Sequence, residues 1–337
     1  MTTLDIMPEN TANTVTPETM QAIVQTEEKV TASLELQEVP VPTLKSGEVL
    51  VEVKAAGVNR ADLLQTQGNY PVPPGASEIL GLECAGVIVD AGDTDRSIGE
   101  EVACLLTGGG YAQFVAVPQG QLMPIPNGYS FVEAASIVEV ACTVWSNIGM
   151  LAGLKEGDLF LIHGGAGGIG TFAIQMGKAL GATVAVTAGS AEKLETCKEL
   201  GADILINYKE EDFAETLKNQ ADVILDIIGA KYLAQNVKAM AKDGHMVTIG
   251  MQGGVKGELN LGHLLAKRGT ISATALRGRD VEDKARIVRS TVDNIWPLLN
   301  NKKISHHIDH TLPLAQAAEA LQKLQEGTVT GKLVLTT

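Results

Sequence analysis

The residues with the plainest chemical purpose lie where an apolar run, Leu159-Phe160-Leu161-Ile162-His163, ends in Gly164-Gly165-Ala166-Gly167-Gly168-Ile169-Gly170. At this spacing Gly165 permits a tight turn, Gly167 lets the backbone approach a diphosphate with no Cβ in the way, and Gly170 allows a helix to pack closely on the strand. The helix that follows would aim unpaired N–H groups and the positive end of its dipole at the anion. Gly165, Ala166, Gly167, Gly168, Ile169 and Gly170 are therefore the expected diphosphate cradle. Glycines also gather in ordinary turns, so the reading depends on the flanking elements: a buried strand before, an amphipathic helix after, and further alternation beyond.

The second expected strand, Thr183 to Thr187, should choose the nucleotide. An acidic residue at its end would accept hydrogen bonds from the ribose 2′-OH of NAD. None is there; the strand runs into Thr187-Ala188-Gly189-Ser190, with Lys193 close behind. A hydroxyl and a cation suit the 2′-phosphate of NADP, and Tyr208, after the third strand, offers a phenolic donor. The competing reading makes Ser190 the cap of the next helix and leaves Lys193 in solvent.

These residues need a scaffold. From Met20 the chain reads as short strands and turns (21–25, 34–39, 49–56), with Val51 and Val53 alternating against Glu52 and Lys54; Gly- and Pro-rich punctuation points to a compact barrel. Beyond about Ala141, apolar strands at 159–163, 183–187, 204–207, 223–226, 246–250 and 270–275 alternate with helical patterns. Ile169, Phe172, Ala173, Met176, Gly177 and Leu180 mark one helix face. The fold class is α/β: a Rossmann-type doubly wound parallel sheet beside a β-barrel domain. After a polar stretch at 277–283, a helix ending near Leu299, a strand at 308–312, a helix at 315–326 and a last strand at 332–335 are expected, the end returning to the first domain. Residues 1–19, rich in Thr, Asn, Glu and Pro, read as a flexible tail.

Doubly wound sheets bind ligands at the carboxyl ends of their strands, which nominates Gly229, Gly250 and Met251. Arg277 and Lys332 supply positive charge that a chain of net charge -14 would need near a phosphate; solvated surface roles compete. That net charge opposes binding to nucleic acid or an anionic membrane. No uninterrupted apolar run approaches the ~20 residues of a membrane span, and no basic, hydrophobic leader opens the chain, so a soluble cytoplasmic protein is expected. Cys84, Cys104, Cys142 and Cys197 are widely spaced, unlike a zinc lobe or redox dithiol.

The run from Gly157 through Gly170 to Gln175 and Lys178 resembles the signature of the quinone oxidoreductase/zeta-crystallin group of medium-chain dehydrogenases/reductases. Asn59-Arg60-Ala61-Asp62-Leu63, Gly68-Asn69-Tyr70, the segment 75–83 and Leu276-Arg277-Gly278-Arg279-Asp280 resemble its tumour-suppressor-inducible quinone oxidoreductase subgroup. The likeness spans nearly everything from Met20 onward. It departs at Gly165-Ala166-Gly167, where many members have Ala or Ser near the start of the turn. The resemblance implies a GroES-like substrate domain (20–141, completed by 280–337), an NADP-binding domain (142–279), and NADPH-dependent quinone reduction in the cleft, usually by homodimers or homotetramers. It also implies that Ser190, Lys193 and Tyr208 hold the 2′-phosphate, that Thr143 lies on the nicotinamide side, that Leu276 and Arg277 flank the cofactor, and that Asn59 and Tyr70 line the substrate.

Zinc-dependent relatives carry a cysteine where this chain has Asn59 and a histidine where it has Leu82, before Glu83, so no metal site is expected; His306, His307 and His310 have no cysteine nearby and read as packed or solvated. A quinone delocalises incoming charge, so positioning and a donor to the developing oxyanion replace the Lewis acid. Tyr70 is the expected donor and Asn59 the second polar group. An NADPH-dependent enoyl or alkenal reductase, with Tyr70 protonating the α-carbon, and a non-catalytic nucleotide binder are the alternatives. Edge pairing of 270–275 would make the dimer, since a bare apolar edge strand invites aggregation.

Overall fold

A computed structural model describes residues 16–337. Most of the expected tail falls outside the described residues. Its end does not behave as tail: Thr19 opens the strand Thr19–Gln25, which pairs antiparallel with Leu34–Pro40.

The central strand of the first lobe is Glu48–Val58, in which Val51 and Val53 are buried as their alternation predicts. It pairs with Glu83–Asp90, Phe114–Pro118 and Lys332–Thr336, the last bringing Ile308–Pro313 with it. The C-terminal segment therefore completes the first lobe, and the two lobes are the GroES-like and Rossmann-type units expected.

The second lobe is a six-stranded sheet in the order Ile204–Asn207, Thr183–Ala188, Leu159–His163, Ala221–Asp226, Met240–Thr248, Thr270–Ala273, all parallel. The order reverses between the first and fourth strands in sequence, which opens a crevice at their carboxyl ends. The helix Gly168–Ala179 lies over this point, with Phe172 and Met176 buried, each contributing roughly 1.5–3 kcal/mol. Gly177 lets it settle, since a Cβ there would sit 2.9 Å from both Phe160 and Val184. The fifth strand begins at Met240 rather than Met246 and continues through Asp243, which takes a left-handed backbone (φ 61°).

The helical stretch Phe131–Leu151 is long and apolar enough by length and composition to cross a bilayer, but Glu133 and Glu139 interrupt it, so it is not an uninterrupted apolar run; 72% of its most apolar 18-residue window is buried within the protein, where it packs against both the barrel strands and the helix Gly168–Ala179. Its apolarity is that of a core element.

Candidate active site

The glycine turn expected to cradle a diphosphate has the geometry its spacing calls for, with one role reassigned. The left-handed residue of the turn is Gly164 (φ 71°), not Gly165; the strand ends one residue before Gly164, so that residue takes the bend. Gly165 is required for close approach, because a Cβ would meet Val186 at 2.9 Å and Cys197 at 3.0 Å. A Cβ at Gly170 would lie 2.5 Å from the Gly165 carbonyl, so Gly170 provides the close packing expected of it. At Gly167 the nearest atom would be 3.5 Å away, leaving that position open to a ligand. The first intrahelical bond runs from Thr171 N to Gly167 O at 2.9 Å, and no side chain caps the helix. The amides of Gly168, Ile169 and Gly170 thus keep free donors at the positive end of the dipole, a donor set that fits a dinucleotide diphosphate.

At the end of the second strand, Tyr208 lies against Gly189, where a Cβ would sit 2.5 Å from its hydroxyl. Ser190 caps the helix Ala191–Glu199, accepting from Lys193 N at 3.4 Å. The Lys193 ammonium donates to Gly327 O at 2.6 Å. Ser190 therefore takes the competing role of helix cap and Tyr208 packs at Gly189, while Lys193 is engaged by a carbonyl of the first lobe. Gly229 and Gly250 also come together, because the loops after the fourth and fifth strands pack on one another: a Cβ at Gly229 would be 3.1 Å from Met251 Cα. Met251 itself is exposed, and Leu276 is half-buried against the core.

Lys332 departs from its expected part. Its stem lies against the cradle, where a Cβ on Gly168 would meet Lys332 Cδ at 2.7 Å, but its ammonium turns to the other lobe. It donates to Glu83 Oε1 and Asn59 Oδ1, both at 2.6 Å, while Asn59 Nδ2 donates to Glu83 Oε1 at 2.8 Å. Its charge is neutralised there instead of serving a phosphate. Glu83 Oε2 accepts from Glu139 N at 2.8 Å, and Glu139 accepts from the Thr143 hydroxyl at 2.7 Å. Asp62 accepts from Asn59 N at 2.8 Å, Gly81 N at 3.1 Å and the Tyr111 hydroxyl at 3.1 Å. Asn59 and Thr143 are thus gathered into one buried network, in which Asn59 orients a charge pair. A zinc ion does not fit here: the donors are an amide and a carboxylate, and an ammonium already stands between them.

Burial raises the Glu139 carboxyl to about 7, with neighbouring Glu83 reinforcing and Lys332 opposing. Burial likewise lifts Asp62 to about 6. Tyr70 is half-buried, and burial followed by the charge of Glu139 keeps its phenol above the ordinary range, against the pull of Arg277. The Arg277 guanidinium lies 5.2 Å from the Tyr70 ring centroid. Arg277 and Lys284, within or beside a stretch read as polar linker, are buried. His306 stacks edge-on to Tyr129 with Nε2 3.4 Å from Glu133, and His310 contacts Asp309.

Sequence reasoning passed over Glu83 as a working residue, and missed Asp62, Glu139 and Lys284. The available signal was a lone charge inside an apolar run, as in Ile137-Val138-Glu139-Val140-Ala141; such a charge needs a partner or a shifted pKa.

Two family models match the chain: alcohol dehydrogenase GroES-like domain over residues 45–127 and zinc-binding dehydrogenase over residues 168–290. The chain belongs to the medium-chain dehydrogenase/reductase family. Members are oxidoreductases that bind a nicotinamide cofactor. Among curated relatives, the synaptic vesicle membrane protein VAT-1 homolog of Danio rerio is 28% identical over 316 residues, which cover 88% of this chain and 65% of that protein. The chain therefore spans less than two thirds of that relative. The quinone oxidoreductase of Pseudomonas syringae pv. Tomato superposes with a TM-score of 0.85 at 27% identity, over 94% of this chain and 100% of that one. A mycobacterial protein complexed with NADPH gives 0.83 at 26% identity, with 94% and 100% covered.

Proposed function

We propose that this family member is an NADPH-dependent, zinc-independent quinone reductase of the quinone oxidoreductase/zeta-crystallin group, nearest its tumour-suppressor-inducible subgroup. One observation carries the reading: Lys332 lies along the glycine turn with its stem and reaches Asn59 and Glu83 with its ammonium. A dinucleotide gripped at the helix amides therefore extends toward a polar network in which a charge pair takes the place of a metal. Preference for NADPH is supported by the lack of a carboxylate at Thr187-Ala188-Gly189-Ser190, by Ser190 and Tyr208 beside that strand end, and by the NADPH-bound mycobacterial neighbour.

A reduced nicotinamide bound there would supply a hydride. The chain's own contribution is to position the acceptor and hold a proton. Tyr70 keeps its hydroxyl proton through neutral pH because burial and Glu139 disfavour the phenolate, so it is ready to donate to an acceptor oxygen as negative charge develops. Asn59 and Lys332 fix Glu83, and Thr143 fixes Glu139 beside it.

The partner reading is a homodimer through the strand Thr270–Ala273, which among the described residues pairs on one side, with Met240–Thr248. On the helix Leu261–Lys267 that leads into this strand, Leu261 and Leu265 are 68% and 78% exposed, apolar side chains of the kind that subunit contacts cover.

Fluorescence titration with NADPH and NADH, then turnover with a naphthoquinone and a 2-enal in parallel, tests the function. Tighter NADPH binding with quinone turnover is expected. Faster reduction of the enal would make the protein an alkene reductase, and binding without turnover of either would make it a nucleotide-binding protein.

A further inference from the structure

Two buried cations meet the first lobe at one residue, with no acidic side chain of the described residues paired to either. Arg277 is 5% exposed and Lys284 2%. Arg277 Nε donates to the Thr107 carbonyl at 2.8 Å, and the Lys284 ammonium donates to the Thr107 hydroxyl. Neither joins any ion pair formed among the described residues. Both terminal guanidinium nitrogens of Arg277, Nη1 and Nη2, are buried and without a hydrogen-bond partner among those residues. Burial works against the charge of Arg277, and Tyr70, Asp62 and Glu78 oppose this through space only.

As mere structure this arrangement is costly. Two like charges stripped of water repel, and a well-packed apolar pair would hold the lobes together more firmly. A single neutral hydrogen bond would suffice to staple Thr107. The arrangement gains a purpose if an anion enters: the fork of Nη1 and Nη2 matches the two oxygens of a carboxylate, and Lys284 adds a second charge. In a chain of net charge -14, such a local positive site is what an anionic ligand requires.

We propose that Arg277 and Lys284 form an anion subsite beside Tyr70 that binds an oxyanion substituent, carboxylate or sulfonate, carried by the hydride acceptor. The contacts to Thr107 and Tyr70, both of the first lobe, put it on the acceptor's side of the molecule. This inference rests on the reductase reading for the ligand's identity, but its geometry does not.

The test is isothermal titration of the full chain, with and without NADP⁺, using 2-naphthoate and its neutral analogue 2-naphthamide. Naphthoate should bind at least about tenfold more tightly, as charge-assisted hydrogen bonds confer, in the presence and absence of NADP⁺. Arg277→Gln and Lys284→Met should each remove most of that preference, and Lys284→Met should leave naphthamide binding unchanged. Should Arg277→Gln fail to fold, Lys284→Met alone carries the comparison. Equal affinities in the wild type, preference retained in the folded variants, or displacement of naphthoate by NADP⁺ would each overturn the subsite. Turnover with a neutral naphthoquinone separates the two ideas. Turnover without naphthoate preference removes only the subsite, and preference without turnover removes only the reductase reading.

Discussion

Replacing Lys332 by methionine probes the joint between cradle and polar network. The side chains of Lys332 and Glu83 are 5% and 0% exposed, so solvent screens their attraction little and cannot rehydrate a stranded carboxylate. Removing one partner of a buried pair costs about 3–5 kcal/mol, most of it the penalty of the charge left behind. For a chain of 337 residues, unfolding entropy of about 2.1 cal/mol/K per residue turns this into a Tm lower by roughly 4–7 °C. The double substitution Glu83→Gln/Lys332→Met removes both charges, lets the single Gln oxygen still accept from one of its two donors, Asn59 or Glu139 N, and should recover at least half the loss. Differential scanning calorimetry of the four proteins closes the cycle. A Lys332→Met loss below about 1 kcal/mol, or a double mutant no better than the single, would show that the pair is not buried as described.

Four further outcomes follow from the same geometry. Tyr70→Phe keeps the ring over Arg277 but loses the proton, so kcat for quinone reduction should fall about tenfold or more with Tm unchanged; unaltered steady-state turnover would remove Tyr70 from the chemistry. Glu139 is held at about 7 against an ordinary 4.5, so the folded state binds a proton that the unfolded chain has released. Stability contributed by this group is therefore present below about 4.5 and lost as pH rises to about 7, and Glu139→Gln should flatten urea midpoints across that window; an unchanged slope would contradict the shift. Gly167→Ala should fold normally yet bind NADPH weakly, whereas Gly170→Ala, driven into the turn carbonyls, should also lose about 1–3 kcal/mol of stability; fluorescence titration and denaturation separate the two. Leu265→Glu, at an exposed site, should turn a dimer into monomers by light scattering without lowering Tm.

The doubly wound lobe was legible because its strands are apolar runs of the right length and its glycines are spaced by the needs of the turn. The choice between Gly164 and Gly165 as the bend was not, since it depends on which residue the strand ends at. Thr19 was read into the tail because polarity says little about pairing; it is held by Pro40 across a hairpin. The charge pair of Glu83 and Lys332 joins residues 249 positions apart, and no local pattern encodes that meeting. Arg277 reads from the sequence as a phosphate-side cation with a solvated role competing, and Lys284 carries no signal of its own, because charge in a sequence ordinarily marks a solvated side chain. Their burial comes from the approach of Thr107, a tertiary event.

The hydrogen bond from Gly331 N to Ala166 O, 2.9 Å long, and the bridge between Gly167 and Gly331 tie the nucleotide turn to the last strand. During synthesis the Rossmann-type lobe can assemble its sheet while that strand is still within the ribosome, but the turn lacks this brace until the strand emerges. Competence to bind nucleotide thus arrives late and together with closure of the other lobe, so a chain truncated before Gly331 should be both open at the barrel and poor in its grip on the dinucleotide.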